Sequence, residues 1–282
     1  MKFIINPNAK LLKIKSNLNR VLHIIKYQFR DEANIEITKG VFHAAEIAYK
    51  AMKSGIGKIV SVGGDGTLNE ILHGIIGGES ALGIIPMGSG NDFARTLKFR
   101  GTPFAILRSM HLKKERPIDV IKVNDSFFLN SMGTGIDSEV IMLIKKERNY
   151  LGGFYKSVLK HKPFDIELTV DGSRKQYQDV SLILFSNGKY FGNKMKVSPN
   201  SELDDGKMEI VLVSGAPKLE LITIFPTIYF GTHIHNKHVH IYSCRVVEYK
   251  GAEQLYFQKD GDLFSTSGFK MTLLDKALKI LV

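Results

Sequence analysis

Asp65 stands among glycines in Gly63-Gly64-Asp65-Gly66-Thr67, a setting that suits phosphate chemistry. Glycine backbone is bare enough for a phosphate to reach its N–H groups, and these residues read as a turn free to take positive φ. A carboxylate beside a polyphosphate is costly unless a cation lies between them. The loop therefore points to a metal-nucleotide, with Mg²⁺ or another cation, rather than to a bare phosphate. No Lys follows the last glycine, as a Walker A loop requires, and the spacing is not that of a dinucleotide fingerprint. The plainer alternative is a tight turn in which Asp65 caps a helix. A second glycine loop ends in another acid, Asp92, which either shares the Mg²⁺ with Asp65 or caps residues 93–97.

These residues need elements to hold them. Ile59, Val60 and Val62 read as a buried strand, and Leu68, Ile71, Leu72, Ile75 and Ile76 recur at helical spacing over residues 67–76. Strand patterns at 3–6, 34–38 and 81–86 alternate with helical patterns at 11–25 and 41–53. That alternation predicts a doubly wound parallel α/β sheet with ligands at the carboxyl ends of its strands. Three such ends carry polar or glycine loops: Asn6-Pro7-Asn8, residues 63–67 and residues 86–92. Beyond about residue 117 the pattern changes to period two, as in Phe164–Val170, with Asp171-Gly172 as a hairpin turn. The chain is thus divided into residues 1–120 and an antiparallel, β-rich 121–282, whose last residues return to the first domain.

Composition narrows the partners. The chain has 282 residues, room for two cores, and one cysteine, which excludes an internal disulfide. It opens on a strand-like run rather than a signal peptide, and no apolar run reaches the roughly 20 residues that cross a bilayer. A net charge of +11 suits nucleic acid, anionic lipid or phosphorylated substrates, and charge alone does not choose among them. Residues 145–162 mix lysines, among them Lys156, Lys160 and Lys162, with aromatic and aliphatic residues. That mixture suits an anionic membrane surface, and equally a solvated helix with snorkelling lysines. His233, His235, His238 and His240 have strand spacing and read as surface polar positions rather than a metal centre.

Together the motifs resemble the diacylglycerol-kinase catalytic family, which includes bacterial lipid kinases and, more distantly, sphingosine and ceramide kinases. The matching residues are Asn6-Pro7, Thr38, the string from Gly63 to Glu70, the string from Pro86 to Arg95, and the string from Asn130 to Asp137. Asn187-Gly188, Asp205-Gly206 and Asp260-Gly261-Asp262 complete the match, which runs along nearly the whole chain. The resemblance implies an N-terminal nucleotide domain, a β-sandwich-like C-terminal domain and a cleft between them. It implies ATP over Gly63, Gly64, Asp65, Gly66, Thr67, Leu68, Asn69 and Glu70. Asn6, Pro7, Asn8, Ala9, Lys10, Thr38, Ser89 and Asn91 would surround it. Asp262 stands where the family carries the Glu that acts as base on the lipid hydroxyl; being one methylene shorter, it would share that role with Asp260. On one strand these two would share a face about 7 Å apart. Mutual repulsion would then raise one of their pKa values. The alternative for Asp260-Gly261 is a hairpin turn. A structural metal is implied at residues 201–208, with Asp205 as side-chain ligand and Glu202 and Lys207 giving carbonyls or a carboxylate.

The expected activity is an ATP- and Mg²⁺-dependent lipid kinase in the cytoplasm, peripheral to the inner membrane face. Its partners would be ATP, a lipid and anionic membrane, not nucleic acid. A soluble kinase of the NAD-kinase type is the alternative, and a basic surface-binding protein with a decayed site is the non-enzymatic one.

Overall fold

A computed structural model describes residues 1–136, 138, 156–192, 194–260 and 262–282, excepting the side chain of Asp262. The chain divides into two compact units, Met1–Val120 with Asp275–Val282, and Ile121–Leu274.

The first unit is built on four parallel strands in the order β4-β3-β1-β2. These are β1 (Lys2–Ile5), β2 (Asn34–Ile37), β3 (Lys58–Gly63) and β4 (Ala81–Pro86). Helices α1 (Lys15–Phe29), α2 (His43–Lys53) and α3 (Asp65–Ile75) link them, followed by α4 (Asp92–Thr96) and α5 (Pro103–Ser109). β1 is buried along its whole length. Successive side chains on a strand face opposite ways. Phe3 and Ile5 accordingly enter a core with Val21, Ile25 and Phe29 of α1 and Leu107 of α5. Ile4 and Ile59, also fully buried, face the other way. On α2 and α3, Ala44, Ile47 and Ala48 and Ile71 and Leu72 are buried. At the chain's end, Ile280 pairs in parallel with Leu82 of β4.

Two helix starts differ from the spacing-based expectation. α3 opens at Asp65, two residues early, because Gly64 takes an extended N-cap conformation and an acid is favoured where first-turn N–H groups lack partners. α2 opens at His43 rather than at residue 41, since Phe42 is left-handed, at φ 63°.

The second unit is antiparallel. β5 (Glu115–Val123) leads to β6 (Ser126–Phe128) and β7 (Ser131–Gly135), and β8 (Phe164–Val170), β9 (Ser173–Ser186) and β10 (Met208–Ser214) follow. Helix α6 (Lys218–Ile228) precedes β11 (Val239–Cys244), β12 (Val246–Lys259) and β13 (Asp262–Leu281). β9 and β12 are long, and each pairs with β8 over one part of its length and with β7 over another. The hairpin between β8 and β9 turns on Asp171 at φ 46° and Gly172 at φ 83°, the primed geometry that matches strand twist. Tyr249, Phe257 and Phe269 lock the core, with ring centroids 4.9–5.1 Å apart. α6 buries Leu221, Ile224 and Phe225 in a second cluster with Val211 and Val213. Among the described residues no helix is long and apolar enough to cross a membrane.

Candidate active site

The glycines of the first unit serve close approach, not positive φ. None of Gly63, Gly64 and Gly66 is in the left-handed region, which corrects the expectation for that turn. A Cβ on Gly88 would fall 2.5 Å from the Gly64 Cα, and one on Gly64 would fall 3.0 Å from the Gly88 Cα. Two backbones meet where no side chain fits. Met87 N–H donates to Gly63 O at 2.7 Å and ties the loops after β3 and β4 together. A Cβ on Gly63 would collide with Thr67, 2.6 Å from its Oγ1, so Thr67 folds back over the strand end. A Cβ on Gly66, by contrast, would meet nothing within 4 Å, so the first turn of α3 presents open backbone. Exposed first-turn N–H groups and the helix dipole together suit an anion.

Asn6 knits the neighbouring strand end to this turn. Its Nδ2 donates to Thr67 Oγ1 at 2.9 Å, and its Oδ1 accepts from Asn8 N–H at 2.9 Å. Asn91, at φ 52°, closes the second loop on itself: Gly88 N–H donates to its Oδ1 at 2.9 Å, and its Nδ2 donates to Gly88 O at 3.1 Å. Asp65 lies between the loops. Its two oxygens accept from Asp92 N–H at 3.3 Å and Phe93 N–H at 3.4 Å, so it caps α4 from across the turn. A Cβ on Gly90 would sit 3.3 Å from Asp65 Oδ2 and 3.4 Å from Asp92 Oδ2, so the two carboxylates converge there. Burial first, and the Asp92 charge second, push the Asp65 carboxyl above its ordinary range, against three backbone N–H bonds that lower it. Capping and metal binding, alternatives in the sequence, are compatible here. A divalent cation with one or two carboxylates, completed by phosphate oxygens and water, fits this donor set.

The other residues of the nucleotide set divide by exposure. Asn8, Lys10 and Ser89 are exposed, Pro7 is half-buried, and Ala9 and Thr38 are buried, with Thr38 N–H on Ile5 O at 2.9 Å. Leu68 and Asn69 face the interior and offer a ligand no side chain; the buried Asn69 Oδ1 has no partner. Glu70 is committed elsewhere, since its Oε2 accepts Ala44 N–H at 3.1 Å and caps α2.

In the second unit the expected carboxylate pair is not a pair on one strand. β12 ends at Lys259, Asp260 is left-handed at φ 45°, and β13 begins at Asp262, which pairs with Lys259. The hairpin alternative holds, and the same-face geometry at about 7 Å falls with the strand it needed. Both oxygens of Asp260 accept backbone N–H groups, from Ser131 at 3.1 Å and Leu129 at 3.3 Å. Asp260 thus anchors the start of β7. Gly261 and the Asp262 side chain lie outside the described residues, as do residues 145–155 of the basic stretch.

In the loop at residues 201–208 the expected acidic ligands already have protein partners. Glu202 pairs with Lys189 at 2.6 Å, Asp205 Oδ1 accepts Lys207 N–H at 3.0 Å, and the Arg245 guanidinium donates to Gly206 O at 3.2 Å. Among the described residues no three His, Cys, Asp or Glu side chains gather as a metal centre. The Arg245 guanidinium thus meets the Gly206 carbonyl, and the Glu202 and Asp205 carboxylates each have a partner within the protein. The histidines are also not alternate residues of one strand: His233 and His235 sit in a 3-10 turn (Thr232–His235). His233 is buried with Nε2 against Val197 O at 2.9 Å, and burial lowers its pKa; His238 Nε2 meets Glu220 at 2.6 Å.

Comparison with known proteins decides the family. Residues 1–123 match the diacylglycerol kinase catalytic domain, and residues 131–282 match the YegS C-terminal NAD kinase beta sandwich-like domain. The chain belongs to the diacylglycerol kinase family. A curated relative, the diacylglycerol kinase of Bacillus subtilis (strain 168), is 28% identical over 276 residues, covering 93% of this chain and 89% of its own. A crystal structure from Bacillus anthracis str. Sterne superposes with a TM-score of 0.84 at 25% identity, covering 99% of this chain and 94% of that one. Another, of a diacylglycerol kinase from the same organism, shares the fold with a TM-score of 0.78 at 22% identity, covering 99% and 95%. Within this lipid-kinase family the two-domain expectation of parallel α/β sheet plus β-sandwich-like domain holds. What sequence reasoning missed was the Gly64–Gly88 contact; its one signal was that both loops carry glycine where a strand ends.

Proposed function

We propose that the protein transfers the γ-phosphoryl group of ATP, with Mg²⁺, to the hydroxyl of a diacylglycerol-like lipid at the cytoplasmic face of a membrane. The observation that carries this reading is the apposition of Gly64 and Gly88 beside the open first turn of α3, with Asp65 and Asp92 converging at Gly90. Phosphoryl transfer needs positioning and charge neutralisation more than covalent help, and this arrangement supplies both. Backbone N–H groups at Gly66 and Thr67 receive phosphate oxygens, and Asn6 holds that turn in place through Thr67. Asp65 and Asp92 are the residues that would hold Mg²⁺. The ion supplies neutralisation of phosphate charge when bound.

The base is assigned to Asp262 alone. Asp262 stands where the family carries its base, whereas Asp260 uses an oxygen on each of two backbone donors that fix the start of β7. For the membrane, Leu159 and Leu219 are 65% and 75% exposed, and Lys218 Nζ donates to Leu159 O at 2.6 Å. Lys156, Lys160 and Lys162 are exposed along the same stretch, so apolar side chains stand beside cationic ones, as interfacial binding requires. Transfer of label from γ-labelled ATP to diacylglycerol in anionic vesicles, with NAD as the competing acceptor, tests the proposal. Labelled phosphatidic acid is the expected product, and label on NAD with none on lipid would overturn it.

A further inference from the structure

The end of β2 and the loop to α2 expose apolar side chains where most such turns are polar: Ile37, the last residue of β2, is 39%, Val41 79% and Phe42 75% exposed. Phe42 is also held at φ 63° and ψ −5°. A bulky aromatic residue is rarely found in that left-handed region, and such strain persists only where the surroundings impose it. The surroundings do. Lys39 N–H donates to His43 Nδ1 at 3.0 Å and closes the loop on itself, and Thr38 N–H fastens its start to Ile5 O at 2.9 Å. Its end is fastened to the glycine-loop helix, since Glu70 of α3 accepts the Ala44 N–H. Further along, α2 and α3 pack backbone to backbone, a Cβ on Gly74 falling 2.4 Å from Ala45 O. The tip is therefore a rigid apolar prong braced against the helix whose first turn offers open backbone.

Strand order gives the tip its ligand. In β4-β3-β1-β2 the end of β2 lies two strands from the end of β3, or about 10 Å at ordinary strand spacing. The loop that carries the tip therefore starts within the reach from the β-phosphate of an extended nucleotide, through the ribose, to its base. We propose that Val41 and Phe42 form the base platform of the nucleotide site, with Phe42 stacking on the purine of ATP. This rests on the ATP reading above and adds to it the residue that reads the base. Aromatic stacking on a base tolerates different bases but requires that one be present. Bracing spares the nucleotide the cost of ordering the platform.

The chain contains no tryptophan, so Phe42→Trp introduces a single fluorophore at the tip. ATP with Mg²⁺ is expected to quench it, and inorganic tripolyphosphate with Mg²⁺, which has no base, is not. Phe42→Gly suits the left-handed conformation and should fold with an unchanged or higher Tm. It should bind ATP roughly 10-fold or more weakly, while its affinity for tripolyphosphate stays that of the wild type. Equal losses for ATP and tripolyphosphate would reduce Phe42 to a structural role and overturn the platform. So would quenching of Phe42→Trp by anionic vesicles but not by ATP, which would make the prong a lipid contact. Wild-type protein that binds neither ATP nor tripolyphosphate would overturn the nucleotide reading itself. Wild type that binds ATP, with Phe42→Gly binding it equally well, would overturn the platform alone.

Discussion

Two Asp-Gly loops, Asp65-Gly66 in the first unit and Asp205-Gly206 in the second, look alike in sequence and were both read as cation sites. They are resolved in opposite ways. Around Asp205 the chain supplies polar partners: Lys207 N–H on the carboxylate, Arg245 on the Gly206 carbonyl and Lys189 on Glu202. The neighbouring acid Glu209, whose carboxyl burial and the Asp205 charge push up, has Ser243 as its own donor. Around Asp65 the largest influences are burial and a second carboxylate, and both oppose its charge. An acid held against its own electrostatics is a candidate for ligand binding, whereas an acid satisfied by its neighbours is architecture. Asp65 and Asp260 both accept backbone N–H groups, and what sets Asp65 apart is the Asp92 carboxylate that converges with it at Gly90.

The largest effect expected from this contrast is on turnover. Asp65→Asn should lower kcat by roughly 100-fold or more, as losing a preorganised charge does. Its Tm should not fall, since a buried charge facing Asp92 is removed while an amide oxygen still accepts an N–H. Near-normal turnover would break the comparison at its first term.

Next come the two acids around Gly261. Asp262→Ala should lower kcat by roughly 100-fold, the usual size of a general-base contribution, with ATP affinity unchanged. Asp260→Ala should act on the fold, costing about 2 kcal/mol by orphaning the N–H groups of Leu129 and Ser131, and lowering Tm. A destabilised Asp262→Ala with intact kcat would reverse the assignment.

The fold was largely legible, and the reason is periodicity. Apolar runs alternating with helical spacing required a parallel sheet, and Asp171-Gly172 required a hairpin, because both patterns are local. Contacts between distant segments were not legible. Nothing local in Gly64 announces Gly88, and nothing in Glu70 announces that it caps α2. Phe42 broke a local rule, so the helix start was misplaced by two residues. Asp260 was misplaced because period-two spacing cannot distinguish a strand from the first residue of its turn. The burial of His233 is not legible either, because its 3-10 turn has no signature in spacing.

A smaller effect concerns pH. With its pKa raised in the folded protein, Asp65 binds its proton more tightly there than in the unfolded chain. Its contribution to stability is therefore greatest at low pH. That contribution declines as pH rises from about 4, the unfolded value, through the raised folded value. Chemical denaturation across this window, without nucleotide, should show a shallower decline for Asp65→Asn than for wild type. Equal slopes would mean that Asp65 is not strained.

The smallest effect belongs to the satisfied loop. Asp205→Ala should cost about 1 kcal/mol, the worth of its turn hydrogen bond, and leave turnover within a few-fold of wild type. Mg²⁺ without nucleotide should leave the Tm of the wild type and of this variant equally unmoved. A Mg²⁺-dependent rise in Tm that Asp205→Ala abolishes would show that this loop, too, takes a cation.

The most direct test of the central claim is calorimetric titration of ATP, with and without Mg²⁺, into the wild type and Asp65→Asn. The glycine loops with Asp65 and Asp92 predict that Mg²⁺ strengthens ATP binding at least 10-fold in the wild type and has little effect in Asp65→Asn. An equal Mg²⁺ dependence in both proteins would contradict the assignment of the metal-nucleotide to this pair of carboxylates.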